Sequence, residues 1–140
     1  MLLIGRRALV ALGAPVMTAE YGLWVHADDI EKVNGVFEPL GHMPNRTPEA
    51  ARNAGRYVIE NGERVDVLVA RASSGHAGPL LSFDDAWARR QRVAIRAGVS
   101  VDLPSIEDLI ATKRWAARAK DLVDIQFLEE LRRGRGPHEP

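Results

Sequence analysis

Two acidic residues next to apolar, strand-like segments are the first candidates for chemistry in this sequence. Glu20 leads into the apolar run at residues 23–25, and Asp66 lies inside the alternating run at residues 64–70. Carboxylates that project from one face of a sheet can share a divalent cation such as Mg²⁺ and so promote phosphoryl transfer. Either acid alone is more typical of a solvated strand position, so the metal site requires both.

A second candidate is the turn that follows the apolar residues 2–4. Gly5 and Arg6 stand there at the predicted start of a helix. The free N–H groups of a helix N-terminus bind anions, and a glycine allows the backbone to approach a phosphate closely. This segment therefore indicates a phosphate-binding turn.

Charged residues recur near the C-terminus, in segments 105–113 and 118–125. They have a structural interpretation that needs no ligand. Asp121 falls near the third position of the last predicted helix, where it favours the helix dipole. Lys120 and Asp124 are spaced i,i+4, which predicts a surface ion pair. The apolar residues of the same predicted helix indicate a buried stripe: Leu122, Ile125 and Leu128.

In this order the segments resemble the minimal bacterial nucleotidyltransferase-fold family, of the small toxin-antitoxin-associated type. That family has Gly-Gly or Gly-Ser after a strand, Asp-x-Asp on the next strand, a third Asp on a later strand, and a characteristic ending. The resemblance runs from about Leu3 to Leu131. The corresponding segments here are Gly5-Arg6, Glu20-Tyr21-Gly22, Asp66, Ser105-Ile106-Glu107-Asp108-Leu109-Ile110-Ala111-Thr112-Lys113 and Arg118-Ala119-Lys120-Asp121-Leu122-Val123-Asp124-Ile125.

The resemblance implies a Mg²⁺-dependent transfer of a nucleotidyl group from a nucleoside triphosphate to a macromolecular hydroxyl. Glu20 and Asp66 would be the metal ligands and, with Asp121 near the acceptor, the catalytic residues. Six further residues would contact the nucleotide. These are Gly5, Arg6, Thr18, Lys113, Arg118 and Lys120.

Several positions depart from the family pattern. Glu20 replaces the first Asp of Asp-x-Asp, Gly22 replaces the second, and Arg6 stands where a small residue belongs. Arg6 either obstructs the phosphate groove or supplies a charge that stands in for a metal. Misplacing a catalytic group by about 1 Å can cost about a hundredfold in rate. These changes predict that transfer is weakened or lost.

Two other functions stay open at this stage. One is a competent enzyme in which Glu20 and Asp66 suffice. The other is a non-catalytic protein-binding module, such as one member of a toxin-antitoxin-like pair. The partner would then be another protein or a second copy of the chain.

The elements that would position these residues alternate between strand and helix. Helical spacing and caps predict helices at residues 6–12, 28–40, 48–54 and 82–90, and a C-terminal helix pair that begins at 104 and 119. Asp28 is the expected N-cap of the second helix, and Leu40 is expected on its apolar face. Thr47 and Pro48 mark the beginning of the third. Asn61-Gly62 and Ala97-Gly98 predict two hairpins, with strands at 56–60, 64–70, 93–95 and 99–101. Residues 71–79 read as a loop. We expect an α/β (α+β) domain, with a mixed sheet flanked by helices.

Composition sets the outer limits. The chain has 140 residues, 46% of them hydrophobic, with zero formal net charge and no Cys. We expect one domain over residues 1–133 with a frayed tail at 134–140. No segment suggests a signal peptide or a membrane span, so we expect a cytoplasmic protein. Zero net charge gives no bulk electrostatic attraction to nucleic acid or to an anionic membrane, so we expect no membrane partner, and nucleic-acid binding stays open.

Overall fold

The computed structural model describes residues 1–14, 18, 21–70, 76–78, 81–116 and 119–134, and of these the side chains of 76–78, 81, 115, 116 and 119–121 are not described. The strands are β1 (Leu2–Ile4), β2 (Tyr21–His26), β3 (Met43–Pro44), β4 (Arg56–Asn61), β5 (Glu63–Ala70), β6 (His76–Gly78), β7 (Leu81–Ser82), β8 (Gln91–Arg96) and β9 (Val99–Leu103). The helices are α1 (Gly5–Ala11), α2 (Ile30–Phe37), α3 (Pro48–Ala54), α4 (Phe83–Ala88), α5 (Ile106–Ala116) and α6 (Ala119–Gly134). Within these ranges, no helix combines the length and apolar character that crossing a membrane requires.

Five of the strands form one sheet in the order β1-β2-β5-β4-β3. β2 and β5 run parallel, and the other neighbouring pairs are antiparallel. The pairs β6–β7 and β8–β9 form separate two-stranded ribbons. The predicted class, α+β with a mixed sheet, is confirmed.

The hairpin of β4 and β5 follows directly from its turn residues. Gly62 joins the strands with a φ of +75°, a left-handed conformation that favours glycine. The register pairs Val58 with Asp66. Asp66 therefore faces away from its buried neighbours Val65 and Val67, as the alternation predicts.

One face of the sheet is covered by α2 and α3. Its core includes Val25 and Val67 from the sheet, Ile30 from α2 and Ala51 from α3. α3 begins as predicted, because the Thr47 side chain accepts a hydrogen bond from the N–H of Ala50.

A polar contact crosses this core between α2 and β4. The Tyr57 hydroxyl donates to Oδ1 of Asn34 at 2.6 Å, and both side chains are buried. Burial, with a smaller contribution from Glu31, raises the pKa of Tyr57 to about 12. The hydroxyl therefore stays protonated and keeps donating at neutral pH.

The opposite face of the sheet is covered in part by α4. Phe83 packs edge-to-face on Trp24, with ring centroids 5.2 Å apart, and Leu2 belongs to the same cluster. Gly22 and Asp66 lie further along this face, because residues two apart on a strand project to the same side.

A second core lies between α1, the β8–β9 ribbon and the C-terminal helix pair. Leu9, Leu103, Leu109 and Leu128 are fully buried in it. The predicted helix pair and the Ala97-Gly98 hairpin are thus both present. This core fixes the C-terminal segments against the start of α1.

Four predicted local features are wrong. Residues 76–78 form β6, which pairs with β7, inside the predicted loop at residues 71–79. Leu40 is 66% exposed, because it belongs to a 3₁₀ turn after α2 and leaves the apolar face of that helix. Leu122 is 61% exposed, since among the described side chains of α6 the first buried ones are Asp124 and Ile125. Asp28 does not cap α2: it lies within a 3₁₀ turn that precedes the helix, and its own N–H donates to the side chain of His26.

Candidate functional site

Gly22 and Asp66 are paired neighbours on the parallel strands β2 and β5. The register therefore places Gly22, the last residue of the Glu20-Tyr21-Gly22 segment, beside the later-strand acid. Gly22 also lies close to β1: a Cβ added at Gly22 would sit 3.3 Å from Cγ1 and from the carbonyl oxygen of Ile4. Such contacts are tighter than ordinary van der Waals spacing, so any side chain at this position would press on β1.

A cavity of about 430 Å³ opens on this part of the sheet face. Its apolar lining comes from three strands, with Ile4 from β1, Val58 from β4 and Leu68 from β5. Gly22, Tyr57 and Val67 also line it. The remaining polar and charged residues of the lining, besides Asp66, are Asn45, Arg46, Arg56 and Arg64.

The Asp66 carboxylate is held by an arginine of its own strand. Nε of Arg64 donates to Oδ1 of Asp66 at 3.1 Å. The Asp66 side chain is 50% exposed, so the pair is solvated and contributes little to stability. It does place a cation on the carboxylate that the sequence assigns to a metal.

Two more guanidinium groups belong to this cavity. Nη1 of Arg46 donates to the backbone carbonyl of Arg56 at 2.6 Å, which anchors Arg46 at the beginning of β4. The Arg56 guanidinium has no hydrogen bond or ion pair with any residue that the structure describes. The cavity therefore carries donors that a ligand can use.

The Gly5 turn is present as predicted, between β1 and α1, with a φ of +71° at Gly5. Arg6 points toward α6: its Nε and Nη2 each lie 3.2 Å from one carboxylate oxygen of Asp124. Nζ of Lys113 donates to the same carboxylate at 2.9 Å. The three side chains join α1, α5 and α6.

This ion cluster is mostly shielded from solvent. The side chains of Asp124 and Lys113 are 1% and 8% exposed, and that of Arg6 is 24% exposed. Burial raises the pKa of Asp124, but the hydrogen bonds from Arg6 and Lys113 outweigh it, so the pKa lies below its ordinary value. Asp124 is therefore not the surface carboxylate that the i,i+4 spacing predicts, since it is 1% exposed; its predicted partner Lys120 has a side chain outside the described part of the chain.

A second charged contact explains Asp108 in the C-terminal segment. Arg89 follows α4 and binds Asp108 with two hydrogen bonds, of 3.0 and 2.9 Å. The N–H of Asp108 is bonded to the Ser105 side chain at 3.1 Å. Asp108 thereby joins α4 to the beginning of α5.

The predicted site residues thus separate into groups. Asp66 lines the cavity, whereas Gly5, Arg6, Thr18 and Lys113 do not. The Thr18 carbonyl accepts from Nη2 of Arg7 at 2.7 Å. Glu20 and Arg118 lie outside the described residues, as do the side chains of Lys120 and Asp121.

The described donors do not by themselves fit a Mg²⁺ ion. Magnesium favours an octahedral shell of oxygens anchored by carboxylates. Among the described residues of the cavity, Asp66 is the only carboxylate, and Arg64 already binds it. The described part of the chain contains no group of three or more His, Cys, Asp and Glu able to hold a metal.

Sequence reasoning missed the arginines of the cavity. A signal existed for two of them: Arg64 has the same strand parity as Asp66, and the Asn61-Gly62 turn sets Arg56 opposite Leu68. Arg46 lies in the segment between β3 and α3. Its approach depends on how that segment crosses the beginning of β4, which no local pattern encodes.

No protein-family model matches the chain, and no curated protein matches it significantly. The function is therefore argued from the cavity and its residues.

Proposed function

We propose that this chain is a nucleotidyltransferase-fold protein that binds a nucleoside triphosphate in the Asp66 cavity. The fold's activity is the Mg²⁺-dependent transfer of a nucleotidyl group to a macromolecular hydroxyl, and we propose that it is weakened or lost here. The observation that carries this proposal is the pairing of Gly22 with Asp66 beside a cavity of about 430 Å³.

The register supports the resemblance because the family's acids belong on two neighbouring strands. A carboxylate at position 22 and one at Asp66 would project side by side and could share a cation. Gly22 leaves that arrangement one carboxylate short, and Arg64 neutralises the one that remains. Such a site would still bind a nucleoside triphosphate but would not transfer the nucleotidyl group efficiently.

The size and lining of the cavity also suit a nucleotide. Ligand sites are commonly clefts of about 300–1,000 Å³ with a mainly apolar lining and a few oriented polar groups. Ile4, Val58 and Leu68 supply apolar surface for a base or ribose. The arginines supply donors suited to phosphate oxygens.

The test is a titration of the protein with ATP, CTP, GTP and UTP, with and without Mg²⁺, followed by the backbone amide NMR signals. We expect at least one nucleotide to shift the signals of Gly22 and Asp66. The absence of binding at millimolar nucleotide, or shifts confined to other elements, would overturn the proposal and favour the protein-binding module.

A transfer assay addresses the second half of the proposal. The protein is incubated with Mg²⁺ and a triphosphate labelled on its α-phosphate, and label is sought on protein and RNA. We expect little or no incorporation. Incorporation that Asp66→Ala abolishes would instead show the competent enzyme, in which Glu20 and Asp66 suffice.

A further inference from the structure

We propose that the cavity binds a chain of phosphoryl groups through Arg46, Arg56 and Arg64, with no divalent cation. This inference rests on the proposed function and specifies how the site holds its ligand. Guanidinium groups would take the place of the metal in balancing the phosphate charge.

The charge of the cavity is the first argument. Three arginines line it against a single acidic residue, Asp66, so the described lining residues carry a net positive charge. Glu60 faces Arg64 across the β4–β5 ladder, but it does not line the cavity. A concave, positively charged surface concentrates anions and repels Mg²⁺.

Donor availability is the second argument. The Arg56 guanidinium is exposed and bonds to no described residue. Nη1 of Arg46 donates to the carbonyl of Arg56, and Nε of Arg64 donates to Asp66. Each guanidinium has other N–H groups that remain available as donors. Two of the three groups are thus oriented by a bond to the protein while still able to bind a ligand.

The chemistry of arginine fixes the class of ligand. A guanidinium forms paired, charge-assisted hydrogen bonds with phosphate oxygens, and it stays protonated at physiological pH. Three such groups around one cavity suit several linked phosphoryl groups better than a single carboxylate ligand. The source of the phosphoryl chain is either a nucleoside triphosphate or an inorganic polyphosphate, and the experiment separates the two.

Sequence features that damage a metal site are consistent with this charge pattern. Gly22 removes a negative charge next to Asp66, and Arg64 pairs with the carboxylate that remains. Both features make the cavity less attractive to a cation and more attractive to an anion. An anionic ligand therefore accounts for both Gly22 and the Arg64–Asp66 pair.

The experiment is a calorimetric titration of ATP and, separately, tripolyphosphate in the presence of EDTA. The variants are Arg56→Gln and Arg46→Gln. Arg96→Gln is the matched control, because Arg96 is exposed on β8 and has no hydrogen bond with a described residue. We expect metal-free binding that each cavity variant weakens about tenfold and that Arg96→Gln leaves unchanged.

Asp66→Asn gives the sharpest distinction. An anion site predicts that metal-free affinity rises about fivefold when this carboxylate is neutralised, whereas a Mg²⁺ site predicts that binding weakens. Nucleotide binding that needs Mg²⁺ and is weakened by Asp66→Asn overturns the inference and leaves the proposed function standing. Tripolyphosphate binding without ATP binding supports the inference and overturns the proposed function. No binding of either ligand, with or without Mg²⁺, overturns both.

Discussion

At the scale of single residues, Gly22 bears most directly on whether the proposed site suits a metal or an anion. Its neighbour across the ladder is Asp66, and its α-carbon lies against Ile4 of β1. A side chain here would have to share space with β1, and a carboxylate would add a like charge beside Asp66. Position 22 therefore links the chemistry of the cavity to the packing of the first strand.

The substitution Gly22→Asp tests both effects. We expect the free energy of unfolding to fall by about 1–3 kcal/mol, because the new Cβ lies 3.3 Å from two atoms of Ile4. We also expect Mg²⁺ to raise the melting temperature of this variant, since two adjacent carboxylates gain a shared cation. Thermal unfolding with and without Mg²⁺ measures both effects.

Gly22→Ala is the control for this experiment. It introduces the same Cβ contact without a carboxylate, so it should be destabilised but insensitive to Mg²⁺. A melting temperature of Gly22→Asp that does not respond to Mg²⁺ would contradict the assignment of position 22 to the family's metal-binding pair.

The sequence could identify Asp66 at this scale but not the groups around it. The alternation of Val65 and Val67 with Asp66 predicted its face, and the structure agrees. Lys113 was harder to interpret, since its helical spacing fits both a buried stripe and a phosphate contact. Its burial depends on Asp124, which lies on another helix, and on Arg6, which is 118 residues from Asp124 along the chain.

At the scale of elements, the ion cluster of Arg6, Lys113 and Asp124 fastens three helices together. Asp124→Asn should lower the free energy of unfolding by about 3 kcal/mol, because two largely shielded cations each lose hydrogen bonds to a buried, ionised carboxylate. Chemical denaturation at neutral pH measures this. Glu129→Gln is the control: Glu129 of α6 pairs with Arg114 of α5, but Arg114 is 61% exposed. That change should cost less than about 1 kcal/mol, and an equal cost for both variants would contradict the role given to burial.

The same carboxylate gives a dependence on pH. Because the pKa of Asp124 is lower in the folded state than its ordinary value of 3.8, its ionised form stabilises the fold above that pH. This contribution is lost as the pH falls below about 4 and through the folded-state pKa. The unfolding free energy of the wild type should therefore drop more steeply in this range than that of Asp124→Asn.

Local signals predicted elements well where the chemistry is local. Thr47 followed by Pro48 marked the beginning of α3, and Asn61-Gly62 marked the β4–β5 hairpin. Leu40 and Leu122 were misplaced because helical spacing indicates a face but not where its partner ends. The extent of the buried face depends on packing against another element, which local sequence does not encode.

At the scale of the whole molecule, two cores share one connection near the N-terminus. Leu3 packs against both the core beneath α2 and α3 and the core that contains α5 and α6. Arg6 adds the ion-pair link from α1 to Asp124. Because the shared elements are β1 and α1, damage to either core should be felt across the described fold.

Cooperative unfolding is the expected consequence. Leu109→Ala, at a fully buried position of the second core, should lower the free energy of unfolding by about 2–5 kcal/mol. The fluorescence of Trp24, which lies on the far side of the central sheet from α2, should report the same transition midpoint as far-ultraviolet circular dichroism. The measurement uses a chain in which Trp87 and Trp115 are replaced by Phe.

Val36→Ala is the control and should change stability by less than about 0.5 kcal/mol, since Val36 is 58% exposed. A Leu109→Ala chain whose helical signal melts before its Trp24 signal would show that the two cores unfold separately.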